Sequence, residues 1–195
     1  MNTTPNEIVL GSAFCPPTIG HKAIVDALRS IEGIDRIRLV PSGPRIDKVY
    51  AFQKDVRRKL IEIFAWEFED PRVVADFTFF DSPEQTTTLG MDQYYREQNG
   101  VSPIQVFGAD VVKMMETWPN LPEDRDYLLN RMPKIFLSRV GVELDLSGRW
   151  NYQLLDVAIP QASSTAVREE GRLDLLTDQV RAAYQSLVLD QIHSV

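Results

Sequence analysis

Strand-like and helix-like segments alternate along almost the whole of this 195-residue chain, and that alternation leaves few ways to fold it. The apolar run Glu7–Phe14 reads as a buried strand, and Arg36–Pro41, Val73–Phe80, Ile104–Gly108, Lys134–Ser138 and Tyr152–Ile159 read as further strands. Between them, Ile24, Leu28 and Ile31 share a helical spacing within His21–Ile31. Val56, Leu60, Ile63, Phe64 and Phe68 share one face of Gln53–Phe68. Thr87–Asn99, a short stretch running to Trp118 and a piece near Asp124–Arg131 read as helices. A stripe from Val180 through Ala183, Tyr184, Leu187 and Val188 to Ile192 closes the chain. Such alternation predicts an α/β fold: a doubly wound, Rossmann-like parallel sheet with helices on both faces. The length suits one domain over residues 1–195, with a C-terminal helical part from about 162 to 195. Ligands of such sheets bind beyond the carboxyl ends of the strands, here the turns after Phe14, Pro41, Gly108, Ser138 and Ile159.

Composition removes several functions. A single cysteine, Cys15, rules out an internal disulfide and a zinc site built on paired cysteines. Two histidines, His21 and His193, argue against a multi-histidine metal site, so no resident metal is expected. The net charge of −7 argues against a DNA or RNA backbone binder but leaves room for a small anion in a local basic pocket. No apolar run approaches the roughly 18 residues of a membrane span, and the polar start from Met1 to Glu7 lacks the pattern of a signal peptide. A cytoplasmic protein is the expectation; a homo-oligomer is left open.

Chemistry concentrates at two places. The first is Gly11-Ser12-Ala13-Phe14-Cys15-Pro16-Pro17-Thr18-Ile19-Gly20-His21. Small residues leave backbone N–H groups uncovered, and the two prolines stiffen the path. Thr18 and His21 then fall on one face where a helix starts, and Gly20 between them permits close approach by a ligand. A helix start suits phosphate, although Thr18 also serves as a plain N-cap in such a position. The second place is Ala162-Ser163-Ser164-Thr165-Ala166-Val167-Arg168, which opens a helix after the last strand. Hydroxyls, backbone N–H groups and an arginine fork one turn in form an anion cradle. A single serine there would be a cap, but two capping serines would be redundant.

GSAFCPPTIGH resembles the GGTFDPxHxGH or GSFxPxTxxH signature, and SSTAVR resembles the ISSTxIR motif, of the nicotinate/nicotinamide mononucleotide adenylyltransferases within the HxGH nucleotidyltransferase superfamily. The resemblance implies an enzyme that transfers the adenylyl group of ATP to a pyridine mononucleotide. His21, Thr18 and Arg168 would be catalytic. Gly11, Ser12, Ala13, Phe14, Gly20, Gly108, Asp110, Ser163, Ser164 and Thr165 would complete the ATP site. His21 would meet the α-phosphate, and Ser163 to Arg168 the leaving pyrophosphate. Mg²⁺ would come with ATP.

Between the motifs the likeness is looser. Lys48 sits where the family's phosphate loop has its lysine, and Arg57 fits the arginine that follows it. Thr88, Trp118 and Arg139 would face the mononucleotide, Trp118 by stacking on the pyridine. Cys15 stands where Asp or Asn is usual. As a nucleophile it lacks a second histidine nearby in sequence. A phosphopantetheine adenylyltransferase-like enzyme and a non-catalytic nucleotide-binding paralogue stand as alternatives.

Overall fold

The computed structural model describes residues 6–43, 50–82, 86–108, 111, 114–115, 122–138 and 151–189. Its strands are β1 (Glu7–Ser12), β2 (Arg36–Pro41), β3 (Val73–Ala75), β4 (Ile104–Gly108), β5 (Lys134–Ser138) and β6 (Tyr152–Asp156). They form one sheet in the order β3-β2-β1-β4-β5-β6, and every neighbouring pair is parallel. The order reverses between β1 and β4, the kind of switch point beside whose carboxyl ends such sheets bind ligands. The helices are α1 (Ile19–Arg29), α2 (Lys54–Trp66), α3 (Thr88–Asn99), α4 (Pro122–Asp126), α5 (Ser164–Glu170) and α6 (Asp178–Tyr184). π-helical turns at Tyr127–Arg131 and Gln185–Leu189 extend α4 and α6.

Successive strand residues point to opposite faces, and the core divides accordingly. Ile8, Leu10, Ile37, Leu39, Ile135 and Leu137 pack with α1, α2 and α6 through Leu28, Phe64 and Val180. Their neighbours turn the other way: Val9 and Val40 meet Tyr95 of α3 and Phe79 of the turn after β3. Phe136 likewise meets Met115, Leu128 and Met132. Among the described residues no helix is long and apolar enough to cross a membrane.

Several elements are shorter than their hydrophobic patterns predict. The strand expected over Val73–Phe80 ends at Ala75. There Asp76, already bound to Arg38 and Tyr95, accepts the Thr78 backbone N–H and starts a turn. The apolar residues beyond are turn residues that fold onto the core, which pattern alone does not separate from a strand. The strand expected over Tyr152–Ile159 runs only to Asp156, which pairs with Ser138 of β5. β1 stops at Ser12, and Phe14 takes a left-handed conformation (φ 44°) with its ring fully buried. The helix expected over His21–Ile31 runs from Ile19 to Arg29. Among the described residues the closing region is not one helix: Gly171 (φ 67°) ends α5, and a 3-10 turn follows at Leu173–Leu175. A second helix restarts where Glu67 Oε1 accepts from Thr177 Oγ1 and the N–H groups of Gln179 and Val180.

Candidate functional site

Thr18 precedes α1 with extended backbone and is fully buried. Its backbone N–H donates to His21 Nδ1 at 3.1 Å, and its Oγ1 lies 2.9 Å from the same nitrogen. A backbone N–H can only donate, so Nδ1 presents its lone pair and the proton of the neutral ring sits on Nε2. Nε2 lies 3.0 Å from Ser12 Oγ. The Phe14 ring, 4.9 Å away centre to centre, covers part of the imidazole. Enclosure disfavours the charged ring and pushes its pKa down to about 4, so His21 is a neutral hydrogen-bond donor at pH 7.

The second motif is joined directly to the first. Ser163 caps α5, its Oγ accepting from the N–H groups of Thr165 and Ala166. Ser164 does something different: its Oγ donates to the carbonyl of Pro16 at 2.7 Å. The two serines are therefore not redundant. Arg168 Nη1 donates to the carbonyl of Cys15 at 2.6 Å, and Nη2 to Thr165 Oγ1 at 3.3 Å.

A cleft of about 910 Å³ opens along the seam, with Thr18, Gly20 and His21 on one wall and Ile159, Ser163 and Arg172 on the other. A Cβ at Gly20 would meet Ala162 Cβ, the Pro160 carbonyl and Thr18 Oγ1, each at 3.5 Å. That is ordinary contact, so the glycine widens the cleft rather than relieving a clash. Sequence reasoning passed over Ile24, Gln161 and Arg172, which also line it. Arg172 follows the glycine that ends α5, outside any recognisable motif, and is braced by both oxygens of Asp174.

The remaining predicted residues divide into three groups. Gly11 lies in β1 beside Val40, and Gly108 ends β4 opposite Leu137. Thr88 begins α3. Arg57 is buried, and its Nη2 donates to the carbonyls of Ala13 (2.8 Å) and Ser42 (3.0 Å), under the ring of Tyr50. Burial depresses its pKa. It clamps the loops after β1 and β2 from behind. Cys15 is buried as well. Lys48, Asp110, Trp118 and Arg139 lie outside the described residues.

No protein-family model matches the chain. It is 30% identical over 171 residues to the "Probable nicotinate-nucleotide adenylyltransferase" of Sulfurimonas denitrificans, covering 86% of each. A protein of the same name from a Sulfurovum species is 21% identical over 188 residues, 96% of each chain. Among solved structures, the nicotinic acid mononucleotide adenylyltransferase of Plasmodium falciparum, complexed with NaAD, superposes with a TM-score of 0.75. That match covers 96% of this chain and 98% of the other at 17% identity, a likeness that shows the fold alone.

Proposed function

The chain belongs to the nicotinate-nucleotide adenylyltransferase family, and we propose that it transfers the adenylyl group of ATP to nicotinate mononucleotide in NAD biosynthesis. The relatives are named for the nicotinate form of the substrate. A phosphate oxygen of the mononucleotide attacks the α-phosphorus of ATP in line. The new P–O bond forms as the bond to the β-phosphate breaks, and pyrophosphate leaves with the electron pair. The nucleophile is already an anion, so the protein has to hold two anions together and offset charge on the phosphoryl oxygens.

The observation that supports this reading is the direct joining of the two motifs, Ser164 to Pro16 and Arg168 to Cys15. It supports a reading in which Thr18 and His21 meet the α-phosphate and Ser163 to Arg168 the pyrophosphate of one nucleotide, since Thr18, His21 and Ser163 line the same cleft. His21 donates from Nε2 and carries no charge of its own to be neutralised. Thr18 holds the ring from the opposite nitrogen. Ser163, Ser164, Thr165 and Arg168 take the leaving pyrophosphate. Gly11 to Phe14 and Gly20 let the nucleotide lie close to backbone. Gly108 and Asp110 serve the nucleotide, while Lys48, Arg57, Thr88, Trp118 and Arg139 serve the mononucleotide side, Arg57 by supporting the Ala13 carbonyl.

Mg²⁺ belongs to the same proposal as an ion carried on the ATP phosphates, where it offsets their charge. Among the described residues no cluster of three or more His, Cys, Asp or Glu is arranged to hold a metal. The reaction is assigned to the cytoplasm. The test is direct: incubate the protein with ATP, Mg²⁺ and, in turn, nicotinate mononucleotide, nicotinamide mononucleotide and phosphopantetheine, and measure pyrophosphate and the joined product. Turnover greatest with nicotinate mononucleotide is expected. ATP binding without pyrophosphate release from any of the three would overturn the proposal.

A further inference from the structure

Every polar atom of the His21 ring already has a partner. Nδ1 takes the Thr18 N–H, Nε2 faces Ser12 Oγ at 3.0 Å, and one side of the ring is covered by Phe14. The tautomer fixed by Thr18 makes Nε2 the donor, so Ser12 Oγ accepts. A hydroxyl that accepts in this way keeps its own proton to give. Among the described residues no other hydrogen-bond partner of Ser12 Oγ is found. Ser12 is the last residue of β1, at the carboxyl edge of the sheet, and its carbonyl is fixed by the Ser42 N–H at 2.8 Å. Its hydroxyl thus stands on a rigid strand end, next to the imidazole and on the side where phosphate-binding turns gather.

We propose that the Ser12 hydroxyl works as one unit with His21: it fixes the angle of the imidazole and extends its Nε2–H into a donor chain, Nε2–H to Oγ–H to a phosphoryl oxygen of ATP. No proton changes owner in this arrangement. The two hydrogen bonds strengthen together as negative charge gathers on the phosphoryl oxygens, because a hydroxyl that accepts from an N–H becomes a better donor. Thr18 and Ser12 hold opposite nitrogens, so the ring cannot flip without losing a bond at each end, nor change tautomer without losing the bond from the Thr18 N–H. The inference rests on the adenylyltransferase reading but concerns a side chain that the backbone-cradle argument leaves without a task.

A double-mutant cycle separates this role from packing. Ser12→Ala should lower kcat roughly 10- to 100-fold with little change in KM for ATP, the size expected for losing one pre-set donor. In a His21→Ala background the same change should cost clearly less than in the parent, because the imidazole that aims and strengthens the Ser12 hydroxyl is already gone. Ser12→Thr, which keeps the hydroxyl, should recover most of the loss. With only two histidines in the chain, ¹⁵N-histidine NMR of the unliganded protein gives an independent view. The Nε2–H of His21 should be protected from exchange in the parent protein and lose that protection in Ser12→Ala. Unchanged kcat in Ser12→Ala, losses that multiply in the double variant, or equal Nε2–H protection in both proteins would overturn the inference and leave the adenylyltransferase reading intact. Undiminished turnover in His21→Ala alone would instead remove the catalytic assignment of His21 itself.

Discussion

Arg168 Nη1 lies 2.6 Å from the carbonyl oxygen of Cys15, closing a hydrogen bond across 153 positions of sequence. With Ser164 on Pro16, it makes the loop after β1 and the start of α5 a single piece of structure. The guanidinium serves two ends, Cys15 and Thr165, with a planar fork that lysine cannot reproduce. Arg168→Ala should lower kcat/KM for ATP by roughly 100-fold or more and destabilise the fold by about 1–3 kcal/mol. Arg168→Lys should restore little of either. Steady-state kinetics and denaturant unfolding of the pair check this; full recovery by lysine would show that charge alone matters.

His21 gives the fold an acid limit. Its folded pKa, about 4, lies below the ordinary value of 6.5. The unfolded chain therefore takes up a proton first as pH falls. The stabilising contribution of the neutral ring is complete above about pH 6.5, shrinks through the interval below it, and is gone below about pH 4. Its size is on the order of 1–3 kcal/mol. His21→Asn should flatten the pH dependence of unfolding between those limits. Parallel curves for parent and variant would show that the ring is not held neutral.

Arg57 is a buried cation that contacts no carboxylate among the described residues; it is held by two carbonyls and the ring of Tyr50. Removing it leaves the carbonyls of Ala13 and Ser42 without their donor. Arg57→Met should cost about 2–4 kcal/mol and reduce turnover by loosening the Ala13 turn. Urea unfolding and kcat measured together test both, and a stable variant with normal kcat would contradict the clamp.

Two glycines should answer differently to alanine. A Cβ at Gly43 would fall 2.2 Å from the carbonyl oxygen of Phe79, a backbone atom with no freedom to withdraw. Gly43→Ala should therefore destabilise by about 1–3 kcal/mol through displacement of the chain. At Gly20 the added methyl meets only ordinary contacts. Gly20→Ala should leave the melting temperature nearly unchanged and raise KM for ATP by narrowing the cleft. Thermal melts and nucleotide titrations of both variants make the comparison; a collapse of Gly20→Ala would contradict it.

The order of strands and helices was legible because buried parallel strands and amphipathic helices impose different periods on the sequence. Lys134–Ser138 and Ile104–Gly108 were placed to the residue. The stretch after Ala75 was not, since Phe77, Phe79 and Phe80 are as apolar as strand residues. There the side chain of Asp76, held by Arg38 and Tyr95, accepts the Thr78 N–H as the chain turns. Both motifs were likewise visible as local patterns of small, hydroxyl and cationic residues.

What sequence alone determined is the alternation, and with it the sheet, together with two short segments suited to phosphate; both are local properties written in neighbouring residues. What tertiary structure alone decided is the use of each side chain. Ser163 caps while Ser164 reaches Pro16, Arg57 turns inward to two carbonyls, and Ser12 meets His21. Those assignments depend on which strand ends lie side by side. Hydrogen bonds act over about 3 Å of space, and distance along the chain does not fix distance in the fold.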